Sequence, residues 1–135
     1  MITRYDRLGY DVTIRPIISD ECSGILVKTP GKEFVLAMSE PASLYTLSEA
    51  KYISTSMNYR LPTYDECVII NDNLDEINSI LSEYNYPKIS GIYWVDNGDD
   101  KQMVYSSLKR SFTEEDRKNR HLVRLIIPAC PNQTA

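Results

Sequence analysis

Hydrophobic positions change period twice along this chain, and the changes divide it into a β-rich start, a helical middle and a β-rich end. Over residues 10–17, Val12, Ile14 and Ile17 predict a strand closed by Pro16 and the polar run Ser19, Asp20, Glu21. A hairpin is predicted next. Ile25, Leu26 and Val27 form one β-rich run and Phe34, Val35, Leu36, Ala37 and Met38 another. Between them stand Thr29, Pro30, Gly31 and Lys32, whose Pro-Gly pair suits the centre of a turn.

Three helix starts then use one device, a side-chain oxygen at the cap followed three residues later by a carboxylate that can reach back to a free amide. They are Thr46 with Glu49, Thr63 with Glu66, and Asn73 with Glu76. Leu47, Ala50, Ile53 and Met57 recur at helical spacing after the first, and Leu74, Ile77, Leu81 and Tyr84 after the third. The middle helix, from Tyr64, carries Cys67, Val68 and Ile70, and Asn71, Asp72 and Asn73 predict an early stop.

Strands return over residues 89–95, 102–108 and 121–127, the last closed by Pro128. Asp96, Asn97, Gly98, Asp99 and Asp100 hold an Asn-Gly pair that accepts positive φ cheaply, so two of these strands are expected to form a hairpin. Strands, then helices, then strands predict an α+β domain with antiparallel sheets, not alternating βαβ units.

A length of 135 residues supports one hydrophobic core, so a single domain over 1–135 is expected. With 15 basic against 19 acidic residues the net charge is -4, which disfavours a nucleic-acid partner. Lys109, Arg110, Arg117, Lys118 and Arg120 alternate with Glu114, Glu115 and Asp116 and read as a solvated loop. No stretch approaches the about 18 continuous apolar residues of a membrane span, and the first six residues have no signal-peptide core. Cys22, Cys67 and Cys130 fit neither a disulfide framework nor a zinc site and read as reduced thiols, with Cys67 in the core.

The chemistry of familiar cofactor enzymes is missing from the sequence. There is no Gly-rich phosphate loop, GxGxxG, HExxH or GxSxG, and no cofactor is expected. Any Ser or Cys triad would have to use His121, the one histidine, which lies in an expected strand and reads as structural. The acidic turn Asp96, Asn97, Asp99, Asp100 is the candidate ligand-binding element. Its oxygens are dense enough for a hard cation such as calcium, yet the spacing departs from an EF-hand, and a solvated turn is the preferred reading. Ten tyrosines offer rigid amphipathic contact area, or core filling with hydroxyls at its edge, as for Tyr52, Tyr64 and Tyr93.

The run Tyr59, Arg60, Leu61, Pro62, Thr63, Tyr64, Asp65, Glu66 resembles the W-R-L-P-T-x-x-E signature of a bacterial and phage family with the C-type lectin-like fold, which includes the C-terminal domains of collagen-like adhesins. Thr46 to Ala50 resembles that family's T-W-x-E-A helix start. Leu74 to Asn78 resembles its L-x-x-I-N helix, Ile92-Tyr93-Trp94 its Y-Y-W-S-S strand, and Val123-Arg124-Leu125 its closing V-R-x-V strand. The resemblance spans roughly residues 24–128. Tyr59 replaces the family's tryptophan, Val95-Asp96 its paired serines, and the disulfides and calcium motif of animal C-type lectins are missing.

The resemblance implies a display scaffold with long contact loops in its second half. The function expected from it is a non-enzymatic interaction module, a phage virion surface, decoration or assembly protein whose partners are capsid or tail proteins. The alternative is a glycan-binding adhesin or lectin, and a cryptic enzyme is the weaker one. The expected location is the virion if the chain is phage-encoded, otherwise the cytoplasm.

Overall fold

A computed structural model describes residues 2–5, 11–18, 23–41, 43–96, 103–107, 109, 111–115 and 118–127. The elements are β1 (Ile2–Tyr5), β2 (Asp11–Ile18), β3 (Ser23–Thr29), β4 (Lys32–Ala37), α1 (Leu47–Ser56), α2 (Tyr64–Asp72), α3 (Leu74–Glu83), β5 (Ile92–Val95), β6 (Met103–Ser106), β7 (Ser111–Glu114) and β8 (Ile126–Ile127). One antiparallel sheet has the order β1-β2-β3-β4-β8 and a second the order β5-β6-β7. This is the α+β arrangement with antiparallel sheets that the order of patterns predicts.

The runs in β3 and β4 are hydrophobic at successive positions because the larger sheet is covered on both faces. Ile25, Val27, Phe34 and Leu36 point to one side, where Ile70 of α2 and Leu74, Ile77, Ile80 and Leu81 of α3 close the core. Leu26, Val35 and Ala37 point to the other, against Leu47 and Ala50 of α1 and Trp94 and Val104 of the smaller sheet. Trp94 is fully buried, and its Nε1 donates to the carbonyl of Tyr45 at 2.7 Å. A third cluster, Cys67, Val95 and Tyr105, fills the space between α2 and the smaller sheet.

Several boundaries depart from expectation for physical reasons. Pro16 does not close β2, which runs on to Ile18. β1 pairs with residues 11–14, so at Pro16 the strand has β3 on one side and, among the described residues, no strand on the other, where a residue without an N–H is tolerated. Asn73 makes no side-chain cap for α3. α2 runs to Asp72 and α3 starts at Leu74, so Asn73 serves both, and its Nδ2 instead donates to the Ile69 carbonyl at 2.9 Å. Ser111–Glu114 is not loop but a strand, paired with β6.

The predicted strand over 121–127 is mostly a seam. His121 bridges to Tyr45 and Leu122 to Tyr93, and only Ile126 and Ile127 join the larger sheet, opposite Leu36 and Val35. Its apolar pattern records burial between two sheets more than ladder pairing. Strand β5 is likewise shorter than the 89–95 run, starting at Ile92 after a Gly91 at φ 136°. Tyr10, residues 19–21, Gln102, Leu108, Arg110, Asp116, Arg117, Pro128, Cys22 and Cys130 lie outside the described residues.

Candidate functional site

The segment Arg60 to Glu66 is held from three directions. Arg60 exchanges both backbone hydrogen bonds with Ile126, at 3.0 and 2.7 Å, which adds it to the edge of the larger sheet beyond β8. The Pro62 carbonyl accepts from the Asp96 N–H at 2.8 Å, tying the segment to the end of β5. A complete capping box then starts α2: Thr63 Oγ1 accepts from the Glu66 N–H at 3.3 Å, and Glu66 Oε1 accepts from the Thr63 N–H at 2.9 Å. The same box starts α1 at Thr46 and Glu49.

Glu66 has a second duty that the capping pattern does not announce. Arg60 Nη1 and Nη2 donate to its two oxygens at 2.7 and 2.6 Å, a bidentate pair around a carboxylate only 1% exposed. Burial pushes the Glu66 carboxyl up, but the Arg60 bonds and the Thr63 amide outweigh it and hold the group below the ordinary carboxylate range. The Arg60 guanidinium is raised in turn, chiefly by its bond to Glu66 and against its own desolvation.

Of the acidic turn, Asp96 is exposed, bridges in parallel to Thr63 and acts electrostatically on Arg60. It therefore stands beside the Leu-Pro-Thr element instead of apart from it. Asn97, Asp99 and Asp100 lie outside the described residues. Among the described residues no three His, Cys, Asp or Glu side chains gather as a metal site.

Cys67 and His121 sit in different places. Cys67 is buried against Val95 and Tyr105, and desolvation pushes its thiol far above its ordinary value. His121 stands edge-on to Trp94, with its Nε2 2.6 Å from Glu115 Oε2. The three singled-out tyrosines also separate. Tyr93 is core: its hydroxyl donates to Glu40 Oε1 at 2.8 Å and accepts from the Ser90 N–H at 3.0 Å, and burial raises it to about 12. Tyr52 is 75% exposed and Tyr64 43%.

Tyr52 belongs to a feature not anticipated from the pattern. Helix α1 buries Leu47 and Ala50, while Tyr45, Ser48, Glu49, Tyr52 and Ile53 line an open, mostly apolar groove of about 330 Å³ on its other side. The signal was available, because Tyr45, Ser48 and Tyr52 recur at a second helical stripe. Leu44 and Met57 are further exposed apolar side chains at the two ends of this helix. An open cleft of about 550 Å³ along α3, lined by Asp75, Asn78, Ser79, Ser82, Glu83 and Lys88, is mainly polar.

No protein-family profile, no curated protein and no solved structure matches this chain.

Proposed function

We propose that this chain is a non-enzymatic interaction module that docks other proteins of a larger assembly, as a surface, decoration or assembly protein of a phage particle. The observation that carries the reading is the outward stripe of α1: an apolar groove walled by Tyr45 and Tyr52 on a helix whose other face is fixed in the core. Rigid aromatic side chains give contact area at low entropic cost. Among the described residues, by contrast, Arg60 is paired with Glu66, His121 with Glu115, and Cys67 lies in the core. The resemblance of residues 59–66 to the C-type lectin-like family of display domains supports the same reading.

The turn of Asp96, Asn97, Asp99 and Asp100 is the second proposed contact, giving an acidic partner surface that steers a basic one. A glycan ligand is the second reading, favoured by the same groove, which Tyr45 and Tyr52 line together with Ser48 and Glu49.

The test is stoichiometric co-purification with the assembly, scored for wild type, for Tyr52→Asp and for the triple variant Asp96→Asn, Asp99→Asn, Asp100→Asn, each with its fold checked by circular dichroism. Loss of incorporation in Tyr52→Asp is expected, with a smaller, salt-dependent loss in the triple variant. Wild-type incorporation of Tyr52→Asp sinks the α1 reading. A glycan-array signal that Tyr52→Asp abolishes moves the assignment to the second reading, and a tightly held metal or cofactor found by mass analysis moves it to an enzyme.

A further inference from the structure

We propose that the occupant of the α1 groove is a second copy of this chain, whose own α1 lies on it end for end. This names the partner of the contact face described above and rests on that reading. Among the described residues seven large apolar side chains stand exposed, and three of them, Leu44, Tyr52 and Met57, lie on α1 or at its ends. Tyr52, at 75%, is the most open of the seven. Positions three and four apart share a helix face, so Ser48, Glu49, Tyr52 and Ile53 form one stripe, which Tyr45 continues beyond the cap. Leu47, Ala50 and Ser54 are buried on the opposite side.

The charge on this face favours a like partner over an oppositely charged one. Glu49 is the one carboxylate that lines the groove, and its Oε1 accepts from Arg120 Nη1 at 2.7 Å and from the Thr46 N–H at 2.9 Å. The groove therefore offers no uncompensated charge to recruit a strongly basic or acidic surface. Two copies that each carry a net charge of -4 approach most easily where the acid is already answered. Both bonds fall on Oε1; among the described residues no donor reaches Glu49 Oε2, which can accept one from a partner.

Two-fold symmetry allows two arrangements of the paired helices. Side by side and parallel, Glu49 of one copy faces Glu49 of the other, and like charges oppose each other. Antiparallel, crossing near Ala50 and Lys51, the stripe is complementary to itself. Tyr52 of each copy then meets Glu49 of the other, Ser48 meets Ile53, and the exposed Leu44 and Met57 cover each other. The Tyr52 hydroxyl donates to Glu49 Oε2 across the pair, twice by symmetry, as a charge-assisted bond. The helix has ten residues, about 15 Å of length, so the contact is small and the pair reversible.

Sedimentation equilibrium of the whole chain from about 1 μM to 1 mM tests the pairing, with each variant's fold checked by circular dichroism. Wild type is expected to pass from monomer to dimer within that range. Tyr52→Asp sets a second carboxylate against Glu49 of the other copy and should weaken the dimer at least about thirtyfold. Tyr52→Arg sets a cation there and should stay within about fivefold of wild type at low salt, weakening as salt rises. In the parallel arrangement position 52 meets itself, so both variants would repel alike. A wild type that stays monomeric, or a Tyr52→Arg as weak as Tyr52→Asp, overturns the end-for-end pair. Monomeric wild type whose Tyr52→Asp variant fails to join the assembly overturns the second copy and leaves α1 as a contact face for another protein. A wild-type dimer whose Tyr52→Asp variant still joins the assembly leaves the pair standing and removes α1 from the assembly reading alone.

Discussion

Arg60 and Glu66 meet through two parallel contacts of 2.7 and 2.6 Å, and the carboxylate that receives them also closes the N-terminal cap of α2. One buried side chain thus joins the edge of the larger sheet to a helix start. Replacing Glu66 by Gln keeps the shape but removes the charge, and is expected to cost about 2 kcal/mol at neutral pH, the range for a hydrogen bond to a charged group. Because the folded carboxyl lies below its ordinary value, its contribution is complete above the unfolded value of about 4.3 and is lost as pH falls through the folded one. Urea unfolding of wild type and Glu66→Gln should therefore converge in acid. A gap that stays constant down to about pH 2 removes the charge from the explanation.

The caps of α2 and α3 are expected to respond differently to the same kind of truncation. Thr63→Ala removes a side-chain acceptor for the Glu66 amide and should cost on the order of 1 kcal/mol. Asn73→Ala removes no cap of α3, only the bond from Nδ2 to the Ile69 carbonyl, so its cost should come from the carboxyl end of α2. Exchange measurements separate the two: Thr63→Ala should loosen the first-turn amides of α2, and Asn73→Ala the last turn of α2, leaving the start of α3 protected.

These helices also show what was legible in the sequence. Thr46 with Glu49 and Thr63 with Glu66 could be read because both partners of a capping box lie within four residues of chain. Asn73 with Glu76 has the same spelling, but a helix ending at Asp72 offers the amide a nearer acceptor at Ile69. Strand β7 was invisible because Ser111, Phe112, Thr113 and Glu114 contain one hydrophobic residue, and pairing with β6 makes the strand. Val123 and Leu125 misled in the opposite sense, being buried without a ladder. Of the candidate site, Asp96 could be placed at a turn from its neighbours, whereas its position beside Pro62 and Thr63 depends on contacts more than thirty residues apart in the chain. The α1 groove was hidden by the helix's own core stripe, which draws the eye to Leu47 and Ala50.

Gly91 is expected to be irreplaceable at modest cost. Its φ of 136° lies where side chains are strained, and a Cβ there would stand 2.7 Å from Leu122 Cδ1. Its N–H and carbonyl are also tied to Ser107, at 2.7 and 2.8 Å, so the backbone is held in place. Gly91→Ala should destabilise by about 1–3 kcal/mol. Gly31, in the β3–β4 turn with nothing within 4 Å of its would-be Cβ, should accept Ala within about 0.5 kcal/mol. Equal unfolding midpoints for the two variants would show that the conformation at Gly91 carries no such demand.

Arg124 is the strongest test of how the seam between the sheets is held. The residue is 3% exposed; Nη1 donates to the Met38 carbonyl at 2.5 Å and Nη2 to the Pro87 carbonyl at 2.7 Å, with Glu40 Oε1 3.1 Å away. Glu40 also accepts from the Tyr93 hydroxyl. Arg124→Met fills similar volume but leaves two carbonyls and a largely buried carboxylate without their cation, so a loss of about 3–5 kcal/mol is expected. Lys should rescue poorly, because one ammonium cannot reproduce the planar fork that reaches Met38 and Pro87 together. Adding Glu40→Gln to Arg124→Met removes the stranded charge while its oxygen can still accept from Tyr93, so the double variant should be more stable than Arg124→Met alone. The double-mutant cycle by urea unfolding decides it: additive losses from Arg124→Met and Glu40→Gln would mean that the pair is not coupled and that Arg124 acts only through the carbonyls.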